Sequence, residues 1–517
     1  MTRRPRSALA VGAGIFLSRL AGFGRDVAIA AFFGTGLAAD AYTAALRIPN
    51  TIRNLLGEGT LSASFIPVYS GLLARESETE ARRLAGTVLS LLAVLAAVLS
   101  GLGVLLAPWI TEILVPRWSP EKLELTTRLV RILFPMAGML ILAAWCLGVL
   151  NSHRRFFLSF AAPAIWNLAQ ILGLLLAWRA GWDPLVVALA WATLIGAVLQ
   201  FLVQVLPSLR LTGRLRLSLD TAWRPVRTVV RNFGPVVLGA GVAQVSGLLD
   251  VFLAGLLANG ALATLAYAQR LYYLPLALFG TSVAASSLPE LSREAELDAR
   301  EALRVRLRDG FRGIAFYIVP SAIAFILFGD WIVSFLFQRG SFVIVDTVWV
   351  HATLGAYAVG LLAASSVKLF ASGFHAMLDT RTPVKFAAAG LAVGAALGAI
   401  LMWRFYVPGL AFGAALGSWL YLLLLWTGLR RRIGVIFHGG DVVYLLKLLA
   451  ACAAGAAAGF AAEFAVAPPE GIDTDLLRRL AVTLATLGAF GVVYLGACRL
   501  ARVTAAAGPR PGERSTP

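Results

Sequence analysis

The ionisable residues inside runs of apolar sequence that bear most on chemistry are Arg19, Arg25, Asp26, Asp40, Arg47, Arg53 and Glu58 in the first two runs, Asp250 and Arg270 in the seventh and eighth, and Lys368 in the tenth. At the centre of a bilayer helix each Arg, Lys or Asp costs roughly 2.5–3.5 kcal/mol even on the lenient insertion scale. Four deep arginines would together cost on the order of 10 kcal/mol. Internal pairing is one explanation, because at 100° per residue Arg19 and Asp26 return to nearly the same helix face, as do Asp40 and Arg47. Yet the bases of these four runs (Arg19, Arg25, Arg47, Arg53, Arg270) outnumber the acids (Asp26, Asp40, Glu58, Asp250). A surplus of positive charge at depth predicts an anionic ligand. Arginine suits phosphate oxygens, since its planar fork stays charged and donates two parallel hydrogen bonds. Arg19 and Arg25 would diverge by about 120° on a straight helix, and Gly22 between them allows a bend.

Composition says what scaffold positions these groups. Of 517 residues, 59% are hydrophobic and 14% charged, against roughly 45–50% and about 25% in soluble proteins, and the mean hydropathy is +0.80. Soluble, disordered, collagen-like and disulfide-scaffold classes are excluded: Cys146, Cys452 and Cys498 all lie in or at the end of apolar runs, where they read as small packing residues. A span needs about 20 apolar residues, and fourteen are predicted, near 8–33, 38–72, 84–113, 127–150, 157–178, 184–206, 233–257, 261–289, 311–337, 347–374, 384–403, 407–428, 441–464 and 477–499. The fold class is thus an all-α polytopic membrane protein. A faint repeat, Gly59-Thr60 to Pro67 against Gly280-Thr281 to Pro289, suggests two six-helix bundles, 1–206 and 233–428. A basic cytoplasmic loop (207–232) joins them, two further helices (429–502) follow, and 503–517 reads as a disordered tail.

The net charge of +18 does not point to nucleic acid, because the basic residues cluster between the apolar runs. With both termini placed in the cytoplasm, the outer loops and helix ends hold only Arg117, Lys122, Arg128, Arg179, Arg339, Arg404, Arg478 and Arg479, and most other Lys and Arg fall inside. The first six residues resemble a signal-peptide start, but Arg19, Arg25 and Asp26 in the run that follows predict a retained helix. The 207–232 stretch, with six arginines and Trp223, reads as a solvated inner loop. Its competing reading is an amphipathic segment on anionic headgroups. Prolines at 49, 67, 135, 163, 235, 275, 289 and 320 fit the broken helices of transporters. Enzyme readings find little support: His153, His351, His375 and His438 are single and unpatterned, and no nucleotide-binding, zincin or nucleophile-elbow motif occurs.

Read as words, Leu17-Ser-Arg-Leu-Ala-Gly-Phe-Gly-Arg-Asp26, Ala39-Asp-Ala41, Arg47-Ile-Pro-Asn50, Arg53-Asn-Leu-Leu-Gly-Glu-Gly59 and Phe65-Ile-Pro67 resemble the lipid II flippase family (MurJ, also called MviN) of the multidrug/oligosaccharidyl-lipid/polysaccharide (MOP) exporter superfamily. The likeness continues in Tyr267-Ala-Gln-Arg-Leu-Tyr-Tyr-Leu-Pro275, Leu288-Pro289, Phe337-Gln-Arg-Gly340 and Asp379-Thr-Arg-Thr-Pro383. The resemblance implies two six-helix bundles around a cationic cavity and two extra helices forming a groove. It also implies alternating-access export of an undecaprenyl-pyrophosphate-linked muropeptide (lipid II) across the bacterial cytoplasmic membrane, for cell-wall synthesis. It marks Arg19, Arg25, Asp40, Arg53 and Arg270 as functionally important; together with the buried charges read above, this assigns pyrophosphate binding to Arg19, Arg25, Arg53 and Arg270, and gating or charge pairing to Asp26, Asp40 and Glu58. Many members carry an acid three residues after the last of these arginines; here the position is Tyr273, which breaks any switching pair between the two. No cofactor is implied, and coupling runs through the membrane potential or through Na+ at Asp250 and Asp379. At those two acids a paired intramembrane carboxylate and a helix cap are the competing readings. Membrane lipids and cell-wall synthesis proteins are the implied partners. Two rival readings stay open: a MOP exporter of another polyprenyl-pyrophosphate-linked saccharide, and a non-transporting scaffold for cell-wall enzymes.

Overall fold

The computed structural model describes residues 4–280, 283, 290–294, 296, 299–467, 472 and 475–504, and all regular structure among them is helical. Two compact units result, Met1–Leu262 and Ala263–Pro517.

In the first unit α1 (Arg4–Phe33) is followed by α2 (Leu37–Leu56) and α3 (Glu58–Ala74). The expected single second span is therefore two helices. The break falls at Gly57, where a side chain would run into the Arg53 carbonyl. Next come α4 (Glu78–Leu105), α5 (Ala107–Leu114), α6 (Pro120–Ser152), α7 (Phe156–Ala161), α8 (Pro163–Arg179), α9 (Leu185–Thr212) and α10 (Arg224–Gly255). The unit is built around α6, which from Ile132 to Leu150 is apolar on every face and largely buried, as an enclosed helix segment must be. Helices α2, α3, α4 and α9 pack round it, and α8 closes on α9 and α1. Leu133, Met136 and Leu140 of α6 meet Tyr42, Trp166 and Leu189 in one core cluster, while Trp145 and Cys146 join Phe65 and Leu84 in another.

The basic stretch before α10 is not simply solvated. Asp220 accepts from Arg83 at 3.0 Å, Arg83 lies over Trp223 at 4.5 Å, and Val226 and Val229 are buried. The six arginines that predicted a solvated loop are all exposed.

The second unit opens with α11 (Ala261–Pro275), whose first two residues belong to the first unit, and a π-helical turn at Leu276–Gly280. It continues with α12 (Arg300–Leu327), α13 (Gly329–Phe337), α14 (Ile344–Val359), α15 (Leu361–Ala376), α16 (Arg381–Ile433), α17 (Gly439–Val466) and α18 (Leu476–Leu500). Two expected spans, 384–403 and 407–428, share the α16 range and are separated at Tyr406, whose φ of 56° and ψ of −137° are non-helical. The chain doubles back there, and Gly390, Gly394 and Gly398 face Gly417, Gly413 and Leu410 backbone to backbone. Such small-residue seams let membrane helices approach closely. The last two helices pair with each other through Cys452, Tyr494 and Cys498, so both cysteines pack as expected, and they rest on Phe316 and Phe328.

Eight helices among the described residues are long and apolar enough to cross a membrane, or nine with the bent α14–α15 pair counted as one span. The chain is a multi-pass membrane protein. The expected segments outside that count are the charged ones on α1, α2–α3, α10 and α11. The second copy of the faint repeat, from Thr281 to Pro289, and the expected tail beyond residue 504 lie outside the described residues.

Candidate substrate-binding site

The first unit gathers two of the expected arginines over one aromatic ring. Trp166 sits in the first turn of α8, just after Pro163 starts that helix. Its indole Nε1 donates to the Thr193 carbonyl at 3.0 Å, which fixes the ring plane. The guanidinium carbons of Arg25 and Arg53 lie 5.5 and 5.7 Å from the ring centre, so they are at most about 11 Å apart. Arg25 is oriented further. Its Nε and Nη2 donate to Asp26 Oδ1 at 3.1 and 2.7 Å, and its Nη1 donates to Asn167 Oδ1 at 2.9 Å. Asn167 is held in turn by donating to the Pro163 and Ser18 carbonyls. Of the five guanidinium donors, two remain on Arg25 for a ligand, one on each terminal nitrogen. Two arginines and one carboxylate leave the cluster cationic, in surroundings that strengthen its field.

A second cluster surrounds Asp40. The carboxylate is 1% exposed, and its Oδ2 accepts from Lys122 Nζ and from the Gly260 backbone N–H, each at 2.7 Å. The lysine is buried too, donates to Asn259 Oδ1 at 2.8 Å and stands 3.7 Å from the Trp118 ring centre. Removing one partner of such a buried pair leaves a lone charge, at a cost of about 3–5 kcal/mol.

The sequence-derived pairings are corrected by these contacts. Asp26 engages its neighbour Arg25, while Arg19 is exposed on α1 and joins no ion pair among the described residues. Asp40 engages Lys122 of a distant helix, and the Arg47 guanidinium instead lies against Gly247 of α10, where any side chain would displace it. A shared helix face is the wrong criterion, because tertiary neighbours outcompete a partner two turns away. Glu58 opens α3, and its side chain lies outside the described residues. Asp250 is half-buried on α10.

In the second unit Arg270 of α11 lies 5.2 Å from the Tyr267 ring centre. Tyr267 packs on Phe337 and Phe342, so two of the sequence words meet there. Asp379 precedes α16 and accepts from the backbone N–H groups of Arg381 and Thr382, the Thr382 hydroxyl and Arg432. The Thr382 hydrogen bonds, with Arg432 beside them, hold its carboxyl well below the usual carboxylate range. Its depressed pKa means that the cap persists through neutral pH and is lost only in strong acid. That is the geometry of a helix cap. No group of three or more His, Cys, Asp or Glu able to hold a metal occurs among the described residues.

Trp166, Asn167 and Lys122 are site residues that sequence reasoning misses. The first two stand side by side in an otherwise apolar run, a legible signal for a polar contact in a membrane. Lys122 lies between apolar runs, which makes it read as an outer-loop residue.

The family described as "Lipid II flippase MurJ" matches residues 29–470. The chain belongs to this family. Among curated members, the "Probable lipid II flippase MurJ" of Rhizobium meliloti (strain 1021) is 32% identical over 495 residues, 94% of this chain and 91% of its own. The "Lipid II flippase MurJ" of Burkholderia cenocepacia is 32% identical over 506 residues, 95% of this chain and 96% of its own. Among solved structures, a lipid II flippase MurJ in an inward closed conformation aligns with a TM-score of 0.77 at 22% identity, covering 96% of this chain and 100% of that one. An inward-facing multidrug resistance MATE family transporter of the MOP superfamily aligns at 0.66 and 17% identity, covering 80% and 94%. The chain therefore shares the fold of these two solved structures.

Replacing Asn167 with Leu is expected to weaken capture of a pyrophosphate lipid about ten- to a hundredfold. The loss corresponds to roughly 1.5–3 kcal/mol for a hydrogen bond to a charged group. Binding of a fluorescent polyprenyl pyrophosphate to the purified protein would check this.

Proposed function

We propose that this protein flips lipid II, the lipid-linked peptidoglycan precursor, from the inner to the outer leaflet of the bacterial cytoplasmic membrane by alternating access. Both termini lie in the cytoplasm in this reading. The observation that carries it is the pair Arg25 and Arg53 over Trp166, with Arg25 pre-oriented by Asp26 and Asn167. A pyrophosphate offers several acceptor oxygens to such donors, and the isoprenoid tail stays in the bilayer. Arg19 in the same unit, and Arg270 within its own unit, are further candidate anion contacts, and no covalent step is needed. Family membership and the named activity of its curated members support the substrate class.

Coupling follows from charge. Moving a pyrophosphate of about two charges outward gains roughly 2.3 kcal/mol per charge per 100 mV, less what the arginines neutralise. The empty cationic site is drawn back inward by the same field. With Asp379 engaged as a cap, the membrane potential rather than Na+ is the driving force we favour. Membrane lipids and cell-wall synthesis enzymes are the partners that such a substrate brings.

The test is growth of a bacterium depleted of its own lipid II flippase and supplied with this chain. Rescue is expected. No rescue despite full membrane expression would move the assignment to another polyprenyl-pyrophosphate-linked saccharide.

A further inference from the structure

Lys122 is an odd residue to find buried. It occupies the first turn of α6, where the helix dipole repels a cation, and a lysine at a membrane surface ordinarily reaches for water. Here it turns inward. Its ammonium is shared between Asp40 Oδ2, Asn259 Oδ1 and the face of Trp118, which uses the capacity of a three-donor group. Asp40 Oδ2 in turn accepts from Gly260, in the turn between α10 and α11. That N–H reaches the carboxylate because Gly260 adopts φ 92°, and a side chain there would strike the Thr35 carbonyl. One carboxylate oxygen thus ties α2, α6 and the α10–α11 turn together, beside the fully buried Ala261.

Stability alone does not account for the arrangement, since a buried ion pair is often no better than apolar residues of the same volume. What it supplies is discrimination. The closed arrangement is favourable only while both charges are present and matched, and Asn259, which is exposed, gives water a route to the pair when the turn lifts.

We propose that Lys122 is a positioning residue of the transport cycle, keeping Asp40 charged and aimed at Gly260 so that the α10–α11 turn is held shut on this face until the cycle releases it. This rests on the transport reading and adds to it a residue that acts through Asp40 rather than on substrate.

The experiment uses the full chain in liposomes containing lipid II, comparing the parent with Lys122→Met, Asp40→Asn and the double variant. A second readout is labelling of Ala261→Cys by an impermeant maleimide, in the parent and Lys122→Met backgrounds. Lys122→Met is expected to lower flipping at least tenfold and to speed labelling of residue 261 at least tenfold. The double variant leaves no lone buried charge, so it is expected to fold and to flip no worse than the worse single variant. Parent-like flipping by Lys122→Met, losses that multiply in the double variant, or unchanged labelling would each overturn the proposal. Failure of the parent itself to flip lipid II would instead strike the substrate assignment, and the labelling comparison would still decide the role of Lys122.

Discussion

An Arg25→Ala, Arg53→Ala double variant will reach the membrane in normal amount, elute as a folded species and fail to support growth of flippase-depleted cells. Each arginine lies over Trp166. Charge-assisted hydrogen bonds to phosphate contribute about 1.5–3 kcal/mol each, so losing both should cut transport by two to four orders of magnitude. Folding should survive, because Trp166 keeps its own anchor to Thr193 and the α6 core is untouched. The two single variants should each lose less, and Arg25→Lys should fall between Arg25→Ala and the parent, since an ammonium keeps the charge but not the fork. Normal growth with the double variant, matched for expression, would remove the anion site from the mechanism.

The second large effect concerns the scaffold. Replacing Gly413 with Leu should abolish accumulation of folded protein. An added side chain there meets the backbone of Gly398 and the carbonyl of Gly394 across the doubled-back α16. Backbone does not yield as a flexible side chain does. The halves must separate, losing the close packing that holds membrane helices together. Gly413→Ala should already lower the melting temperature in detergent, since overpacking ordinarily costs about 1–3 kcal/mol. Gly488→Leu is the control: it adds the same side chain on α18 where nothing lies within 4 Å, and it should behave as the parent. Equal accumulation of the Gly413→Leu and Gly488→Leu proteins would show that the seam is not close-packed.

The amino-acid sequence determined a great deal by itself. An apolar run of some twenty residues has few options in a bilayer, since every backbone group must be paired within the helix; the all-α membrane fold followed from composition alone. The cost of burying charge likewise marked Arg25, Arg53 and Asp40, because such residues are expensive in an apolar run whatever fold that run adopts. Sequence words then supplied the family.

Partners were what the tertiary structure decided. Helical periodicity ranks neighbours along one helix, so it joined Arg19 to Asp26 and Asp40 to Arg47. The fold joined Arg25 to Asn167, 142 residues away, and Asp40 to Lys122, 82 residues away. A lysine near a helix start reads as a surface charge until the opposite charge is brought against it from another helix. The break at Gly57 is local by contrast: its φ of −91° and ψ of −134° leave the helix, and only a residue without a side chain fits there against the Arg53 carbonyl. Sequence prices a buried charge locally, whereas its compensation comes from whichever side chain three-dimensional packing delivers.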